Sequence, residues 1–145
     1  MTLRLITYVV MDGNAREAIE FYEKALDAKV TYLQTFGEMP ENPEFPLPEE
    51  AKSRIGHAMI KVGDSELMFS DTFPGSPFQQ GNQVTICITT NEIERAKRCF
   101  EALQEGGHVE MPLQETHFSP AYGSVTDKFG ITFQIYTESN EMPMP

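Results

Sequence analysis

Residues 2–28 read TLRLITYVVMDGNAREAIEFYEKALDA and contain the start of the fold. The β-branched and apolar run Thr2–Met11 predicts a strand, and Asp12-Gly13 predicts the turn that ends it. Apolar residues then recur at helical spacing, which predicts an amphipathic helix over residues 15–28. A strand followed closely by a helix that buries one face predicts a sheet lying against that helix.

The order of elements that begins here occurs twice along the chain. After the first helix, strands are predicted at residues 29–36, 55–62 and 66–70, with an acidic, proline-rich loop at 38–50. The second half repeats the order, with a strand at 83–90, a helix from Ile93 to Leu103 and strands at 109–111, 122–126 and 131–137. Both helices are predicted to begin at capping boxes, Asn14 with Glu17 and Asn91 with Glu94.

This order predicts an α+β fold made of two β-α-β-β-β modules whose curved sheets form a half-open barrel. Residues 1–72 form module one, residues 73–82 a linker rich in proline and glycine, residues 83–138 module two, and residues 139–145 a frayed tail. The length of 145 residues is that of one average domain, so a single domain is expected.

Composition excludes several classes of function. The chain has 11 basic and 22 acidic residues and a net charge of −11, so its surface repels nucleic-acid phosphates and anionic lipid. No apolar run approaches the length of a membrane span, and the first residues do not resemble a signal peptide. Cys87 and Cys99 lie in predicted secondary structure without CxxC spacing, which favours buried free thiols in the cytoplasm over a disulfide.

Several motifs, taken in order, resemble one known family. They are Met11-Asp-Gly-Asn-Ala-Arg-Glu-Ala-Ile-Glu-Phe-Tyr22, Gly56-His57-Ala58, Gly63-Asp-Ser-Glu-Leu-Met-Phe-Ser-Asp71, Gly106-Gly-His-Val-Glu-Met-Pro-Leu-Gln114 and Tyr122-Gly-Ser-Val-Thr-Asp-Lys-Phe-Gly130. Together they resemble the PhnB-like branch of the glyoxalase, bleomycin-resistance and extradiol-dioxygenase superfamily, which has the vicinal oxygen chelate fold. The resemblance implies a homodimer. Proteins of this branch are sometimes labelled as ubiquinone-related methyltransferases. A nucleotide-like methyl donor would need a glycine-rich loop directly after a strand, and no predicted strand is followed by such a loop.

The resemblance also implies positions for a divalent metal. Enzymes of the superfamily hold the ion through His or Glu side chains, so that open positions can polarise substrate oxygens. Here the corresponding positions fall on Thr7, on Thr85 or Val84, on Gln134, and on Leu67 or Phe69. None of these is a strong ligand for a transition metal, so we expect no metal and no cofactor.

Strand alternation predicts where a ligand would bind. Thr7, Thr85 and Gln134 each lie opposite the more apolar set of their strand, so they should converge on the concave face. We expect a pocket lined by these three residues, by His57, and by the segment from Gln114 to Tyr122, in which the candidates are Gln114, Thr116, His117, Phe118 and Tyr122.

Some of these residues also have structural interpretations. His57 could bind a ligand or act as a general acid or base, or it could bond to a neighbouring strand. His117 could line the cavity or lie on an ordinary surface loop, and His108 is expected at a helix end, where its charge would suit the helix dipole. A Ser70–His57–Asp71 nucleophilic set is disfavoured because no nucleophile elbow accompanies it.

Two functions follow from this interpretation. The first is binding of a small organic molecule in a concave cavity without a metal. The alternative is a metal-dependent lyase or dioxygenase with non-standard ligands such as His57 and His117. The absence of the usual ligand set favours binding.

Overall fold

The computed structural model describes residues 2–44, 46–73 and 75–139. These residues form two compact units, and the boundary between the units falls after residue 79, inside the predicted linker. Each unit contains one four-stranded sheet and one α-helix, which confirms the α+β class and the β-α-β-β-β order. None of the described helices has both the length and the apolar character needed to cross a membrane.

The first unit contains strands β1 (Thr7–Met11), β2 (Lys29–Thr35), β3 (Ile55–Val62) and β4 (Ser65–Asp71), with helix α1 (Ala15–Ala25) between β1 and β2. The strand order is β1-β4-β3-β2. The pairing of β1 with β4 is parallel and the other two pairings are antiparallel. Short 3-10 turns at Phe36–Glu38 and Glu49–Ala51 flank the acidic loop.

The second unit repeats this topology. It contains β5 (Ile86–Thr90), α2 (Ile93–Gln104), β6 (His108–Gln114), β7 (Tyr122–Thr126) and β8 (Thr132–Thr137), and the strand order is β5-β8-β7-β6. Again the outer pair β5 and β8 is parallel and the rest are antiparallel.

Each sheet buries one face under its own helix and leaves the other face open. In the first unit the Tyr22 ring of α1 lies 5.8 Å from that of Phe69 on β4, and both side chains are fully buried. In the second unit Leu103 of α2 and the strand residues Phe133 and Ile135 are buried in the same way. Full burial of one such side chain contributes about 1.5–3 kcal/mol. The open faces are therefore where polar side chains can meet a ligand.

The predicted capping boxes are wrong. Asn14 makes no side-chain cap at α1, and Glu92 rather than Asn91 is the N-cap residue of α2. At α1 the cap comes from Asp71 at the end of β4. Its Oδ1 accepts hydrogen bonds from the backbone N–H of Gly13 at 2.8 Å and of Ala15 at 2.9 Å.

The other oxygen of Asp71 holds a second element in place. Oδ2 accepts from the backbone N–H of Ile55 at 2.9 Å, and the carboxylate is 3% exposed. The partners of Asp71 are therefore at the start of α1 and of β3. The parallel pairing of β1 and β4 brings the end of β4 beside the turn before α1. This pairing cannot be predicted from the local sequence around Asp71.

Several boundaries differ from prediction. Strand β1 begins at Thr7 rather than Thr2, β5 begins at Ile86 rather than Gln83, and α1 ends at Ala25 rather than residue 28. Strand β6 does not stop before Pro112 but continues to Gln114. This is possible because β6 is the edge strand of its sheet and its register with β7 shifts around Pro112. The backbone of Pro112 has no N–H, and at this place no hydrogen bond between the strands requires one.

The two cysteines differ in environment. Both are free thiols, and Cys99, on the inner face of α2, is buried in the core as expected. Cys87 is exposed, so the prediction that it is buried is wrong. Its ladder partner is Gln134, which places Cys87 on the open face of the second sheet.

Candidate functional site

Two of the candidate residues form hydrogen bonds to a third, Gln134, on the open face of the second sheet. Gln134 on β8 donates a hydrogen bond from Nε2 to Thr85 Oγ1 at 3.0 Å. The hydroxyl of Tyr122 on β7 donates to Gln134 Oε1. We call Thr85, Tyr122 and Gln134 the Gln134 cluster.

The Gln134 cluster keeps part of its hydrogen-bonding capacity. An amide side chain has two N–H donors and an oxygen with two lone pairs. The two contacts within the cluster use one donor and one lone pair of Gln134. One N–H and one lone pair are left for a ligand, and both are held in a fixed orientation by the neighbouring hydroxyls.

Aromatic rings flank the Gln134 cluster. The ring of Phe118 lies 5.0 Å from that of Tyr122 and is stacked on Tyr136 at 5.9 Å. Tyr136 donates its hydroxyl to the Phe118 carbonyl at 3.3 Å, which holds the segment before β7 against β8. Sequence reasoning missed Tyr136, although its spacing of two residues from Gln134 on the same strand could have identified it.

The other candidates of the segment 114–122 have different surroundings. Gln114 is exposed at the end of β6, where it pairs with Tyr122 in the ladder. Thr116 Oγ1 accepts from the backbone N–H of Phe118 at 3.3 Å and donates to the Ser119 carbonyl at 3.4 Å, so its hydroxyl holds a turn. His117 is exposed, and its ring packs edge-on against Phe118 at 5.1 Å.

His57 lies in an aromatic group on the open face of the first sheet. Its ring stacks on Tyr8 at 5.7 Å and lies 5.6 Å from Tyr32. Tyr8 and His57 share a hydrogen bond of 3.1 Å between the phenol oxygen and Nδ1. In the tautomer with the proton on Nε2, Tyr8 donates to Nδ1 and the Nε2–H can donate to a ligand.

The expected face for Thr7 is wrong. Thr7 pairs with Leu67 and Val9 with Phe69, and these two β4 residues are buried on the helix side. Tyr8 is on the opposite face, with His57. Both alternating sets of β1 are apolar, so apolarity could not choose between them. Convergence of any first-unit residue with Thr85 and Gln134 in one pocket stays a prediction.

The side chains at the expected metal positions do not fit a metal ion. Leu67 and Phe69 are buried under α1, and the amide of Gln134 is already bonded to two hydroxyls. Across the described ranges, no group of three or more His, Cys, Asp or Glu residues could hold a metal ion. Hydroxyl and amide groups without carboxylate or imidazole are weak ligands for transition metals.

A cavity of about 720 Å³ opens on the second sheet, toward the start of β8, and none of the nine candidate residues lines it. Its lining comes from the segment before β5, from β6, β7 and β8, and from the turn between β7 and β8, namely Gln80, Gly81, Asn82, His108, Glu110, Ser124, Thr126, Gly130 and Thr132. Sequence analysis missed these residues, because single polar residues on alternating strand positions give no signal until the strands are paired.

A chain of polar contacts crosses this cavity. Glu110 Oε1 accepts from Thr126 Oγ1 at 2.9 Å and lies 2.6 Å from His108 Nε2, and the hydroxyls of Thr126 and Thr132 are 2.8 Å apart. The hydrogen bonds from Thr126 and His108 lower the pKa of Glu110 below its usual value. The expectation for His108 is wrong, since it is the first residue of β6 and contacts Glu110.

Comparison with known proteins gives the family. A family model described as 3-demethylubiquinone-9 3-methyltransferase matches residues 3–136. The chain belongs to this PhnB-like family. A curated relative, Protein YjdN of Escherichia coli (strain K12), is 32% identical over 140 residues, which cover 90% of this chain and 92% of the relative.

Solved structures agree with the family and with the fold. Protein PA1353 of Pseudomonas aeruginosa has 34% identity and a TM-score of 0.84, with coverage of 94% of this chain and 98% of that one. A PhnB protein from Bacillus cereus has 23% identity and a TM-score of 0.74, covering 93% and 99%.

A more distant structure shows the fold alone. The fosfomycin resistance protein FosX of Listeria monocytogenes, solved with Mn(II) and 1S,2S-dihydroxypropylphosphonic acid, has 10% identity and a TM-score of 0.65, covering 97% of each chain. The PhnB-like family member described here therefore has the vicinal oxygen chelate fold, as its motifs predicted.

Proposed function

We propose that this PhnB-like protein binds a small organic molecule through neutral hydrogen bonds and aromatic contacts on the open faces of its sheets. The observation that carries the proposal is the Gln134 cluster. Its amide is oriented by Thr85 and Tyr122, keeps one donor and one acceptor for a ligand, and lies next to the rings of Phe118 and Tyr136. Each neutral hydrogen bond to a ligand contributes about 1 kcal/mol net.

The first unit supports the same kind of ligand. Tyr8 and Tyr32 are each nearly half exposed on either side of His57, so flat rings are available for stacking beside an imidazole that can donate or accept. Aromatic pairs contribute about 0.5–1.5 kcal/mol beyond the area that they bury. A flat molecule with a few polar groups is the ligand class that both faces favour.

The open faces do not suit the methyl donor that the family's methyltransferase description implies. A nucleotide-like methyl donor needs a glycine-rich loop after a strand, so that backbone N–H groups can approach its polar groups. The open faces described above offer hydroxyls, an amide and aromatic rings instead.

The test is a thermal-shift screen of wild-type protein against aromatic metabolites and antibiotics, with hits measured by calorimetry. A ligand at 100 times its Kd stabilises a protein by about 2.7 kcal/mol, which raises the Tm of a domain of this size by several degrees. Gln134→Met keeps the shape but removes the amide, so it should weaken binding about fivefold or more. Gln104→Met, at the exposed end of α2, is the matched control and should bind normally.

Metal dependence separates this proposal from the alternative of a lyase or dioxygenase. Binding should survive EDTA, and protein purified without a His tag should contain no stoichiometric zinc, nickel, manganese or iron. Binding that is lost in EDTA and restored by Mn²⁺ would refute the metal-independent site.

We further propose a homodimer. In the first unit Leu3 and Leu5 precede the edge strand β1 and are 94% and 96% exposed, and a sheet edge with apolar neighbours favours pairing with another chain. Light scattering after size-exclusion chromatography should give twice 16.4 kDa, and Leu5→Ser should shift the protein toward 16.4 kDa. A wild-type mass of 16.4 kDa at micromolar concentration would contradict the dimer.

We also propose a cytoplasmic location. The two free thiols, one of them exposed, suit a reducing compartment. Fractionation of cells expressing the protein should find it with cytoplasmic markers, and recovery in an oxidising compartment would contradict this.

A further inference from the structure

The cavity around Glu110 has a chemistry of its own, different from that of the Gln134 cluster. We propose that it binds the ammonium group of a small organic amine. The inference does not depend on the Gln134 cluster, because none of the residues of that cluster lines this cavity.

The first argument is the charge of the lining. Among the described residues that line the cavity, Glu110 has the one carboxylate, none is lysine or arginine, and the one imidazole, His108, already contacts Glu110 Oε1 at 2.6 Å. The hydrogen bonds that Glu110 accepts favour its ionised form at neutral pH. A net charge of −11 adds a field that attracts cations and repels anions. A carboxylate or phosphate ligand is therefore disfavoured.

The second argument is the number of acceptor atoms that have no partner. Oε1 of Glu110 is bonded to Thr126 and His108, whereas Oε2 has no hydrogen bond within the part of the chain that the structure describes. The same is true of Ser124 Oγ and of the side-chain oxygen of Asn82. An alkylammonium has three N–H donors and no acceptor, so it suits a lining that offers acceptors.

The third argument is that Glu110 is held before a ligand arrives. Thr126 donates to its Oε1 and is itself in contact with Thr132 at 2.8 Å, while His108 contacts the same oxygen. These contacts fix the carboxylate with Oε2 unpaired, which lowers the cost of ordering it on binding. A sugar or polyol is less suited, because no phenylalanine or tyrosine is among the described lining residues to cover an apolar face.

The test is an NMR titration of the ¹⁵N-labelled full-length protein with 1,4-diaminobutane at constant ionic strength. 1,4-Butanediol is the uncharged control ligand. The diamine should cause saturable shifts confined to the lining segments, residues 80–82, 108–110, 124–126 and 130–132, and the diol should cause none. Glu110→Gln should weaken diamine binding about fivefold or more, as expected for a charge-assisted hydrogen bond. Glu101→Gln changes the charge equally on the exposed side of α2 and should leave the affinity unchanged.

Several results would overturn the proposal. Equal weakening in Glu110→Gln and Glu101→Gln would show general attraction to an acidic surface. Binding of the diol as tightly as the diamine would show a polyol site, and shifts that do not saturate would show no site. If Glu110→Gln does not fold, Ser124→Ala removes one unpaired acceptor from the cavity; it should weaken the diamine about twofold, and unchanged affinity would refute the site.

Discussion

Replacing Asp71 by asparagine should destabilise the protein, although the two side chains have nearly the same shape. The carboxylate accepts three backbone hydrogen bonds, two at Oδ1 from Gly13 and Ala15 and one at Oδ2 from Ile55. Asparagine has a single oxygen, so an NH₂ group must face a backbone N–H. One hydrogen bond to a charged group, worth about 1.5–3 kcal/mol, is lost and the others weaken, giving a total of about 2–4 kcal/mol.

The assay is urea unfolding followed by far-UV circular dichroism at fixed protein concentration, since the chain has no tryptophan. The midpoint should fall with little change in m. Asp64→Asn, in the exposed turn between β3 and β4, makes the same chemical change without the three contacts and should stay within about 0.5 kcal/mol of wild type. Asp71→Ala should cost more, about 3–6 kcal/mol, because it leaves three backbone N–H groups without an acceptor.

The reasoning would be refuted if Asp71→Asn cost less than about 1 kcal/mol, which is the value of one ordinary hydrogen bond. It would be refuted equally if the Asp64 control lost as much stability. Either result would mean that water or backbone relaxation replaces the carboxylate at the start of α1.

Other substitutions test the second unit. Thr85→His with Gln134→Glu places an imidazole and a carboxylate at positions whose present side chains are 3.0 Å apart, so elemental analysis should find Mn²⁺ or Zn²⁺ in the double variant and less in either single variant. Metal uptake by wild type to the same level would contradict this. Thr126→Val removes a hydrogen bond to Glu110 and should raise the pKa of Glu110 toward its ordinary value in an NMR titration; an unchanged pKa would show that Thr126 is not the cause. Because the folded pKa of Glu110 is lowered, its contribution to stability is present above the unfolded pKa and is lost as the pH falls through the folded one.

Local pattern was sufficient for the elements and their order. Strands β3 and β7 were predicted with their observed bounds, because each borders a recognisable hairpin turn, at residues 63–65 and 127–130. Alternation along β8 correctly opposed Gln134 to Phe133 and Ile135, since only one of the two sets is strongly apolar. In β1 both sets are apolar, and the prediction for Thr7 was wrong.

The sequence by itself therefore determined the two β-α-β-β-β units, their family and the side of β8 that stays open. The units and the open side of β8 depend on contacts between residues a few positions apart, which periodicity reports directly, whereas the family follows from the resemblance of the motifs. Only the tertiary structure decided that Asp71 caps a helix 56 residues earlier in the chain, that Thr85 reaches Gln134 across 49 residues, and that Thr126 bonds to Glu110. Strand pairing and register bring such residues together, and these depend on how the strands of each sheet associate to bury one apolar face.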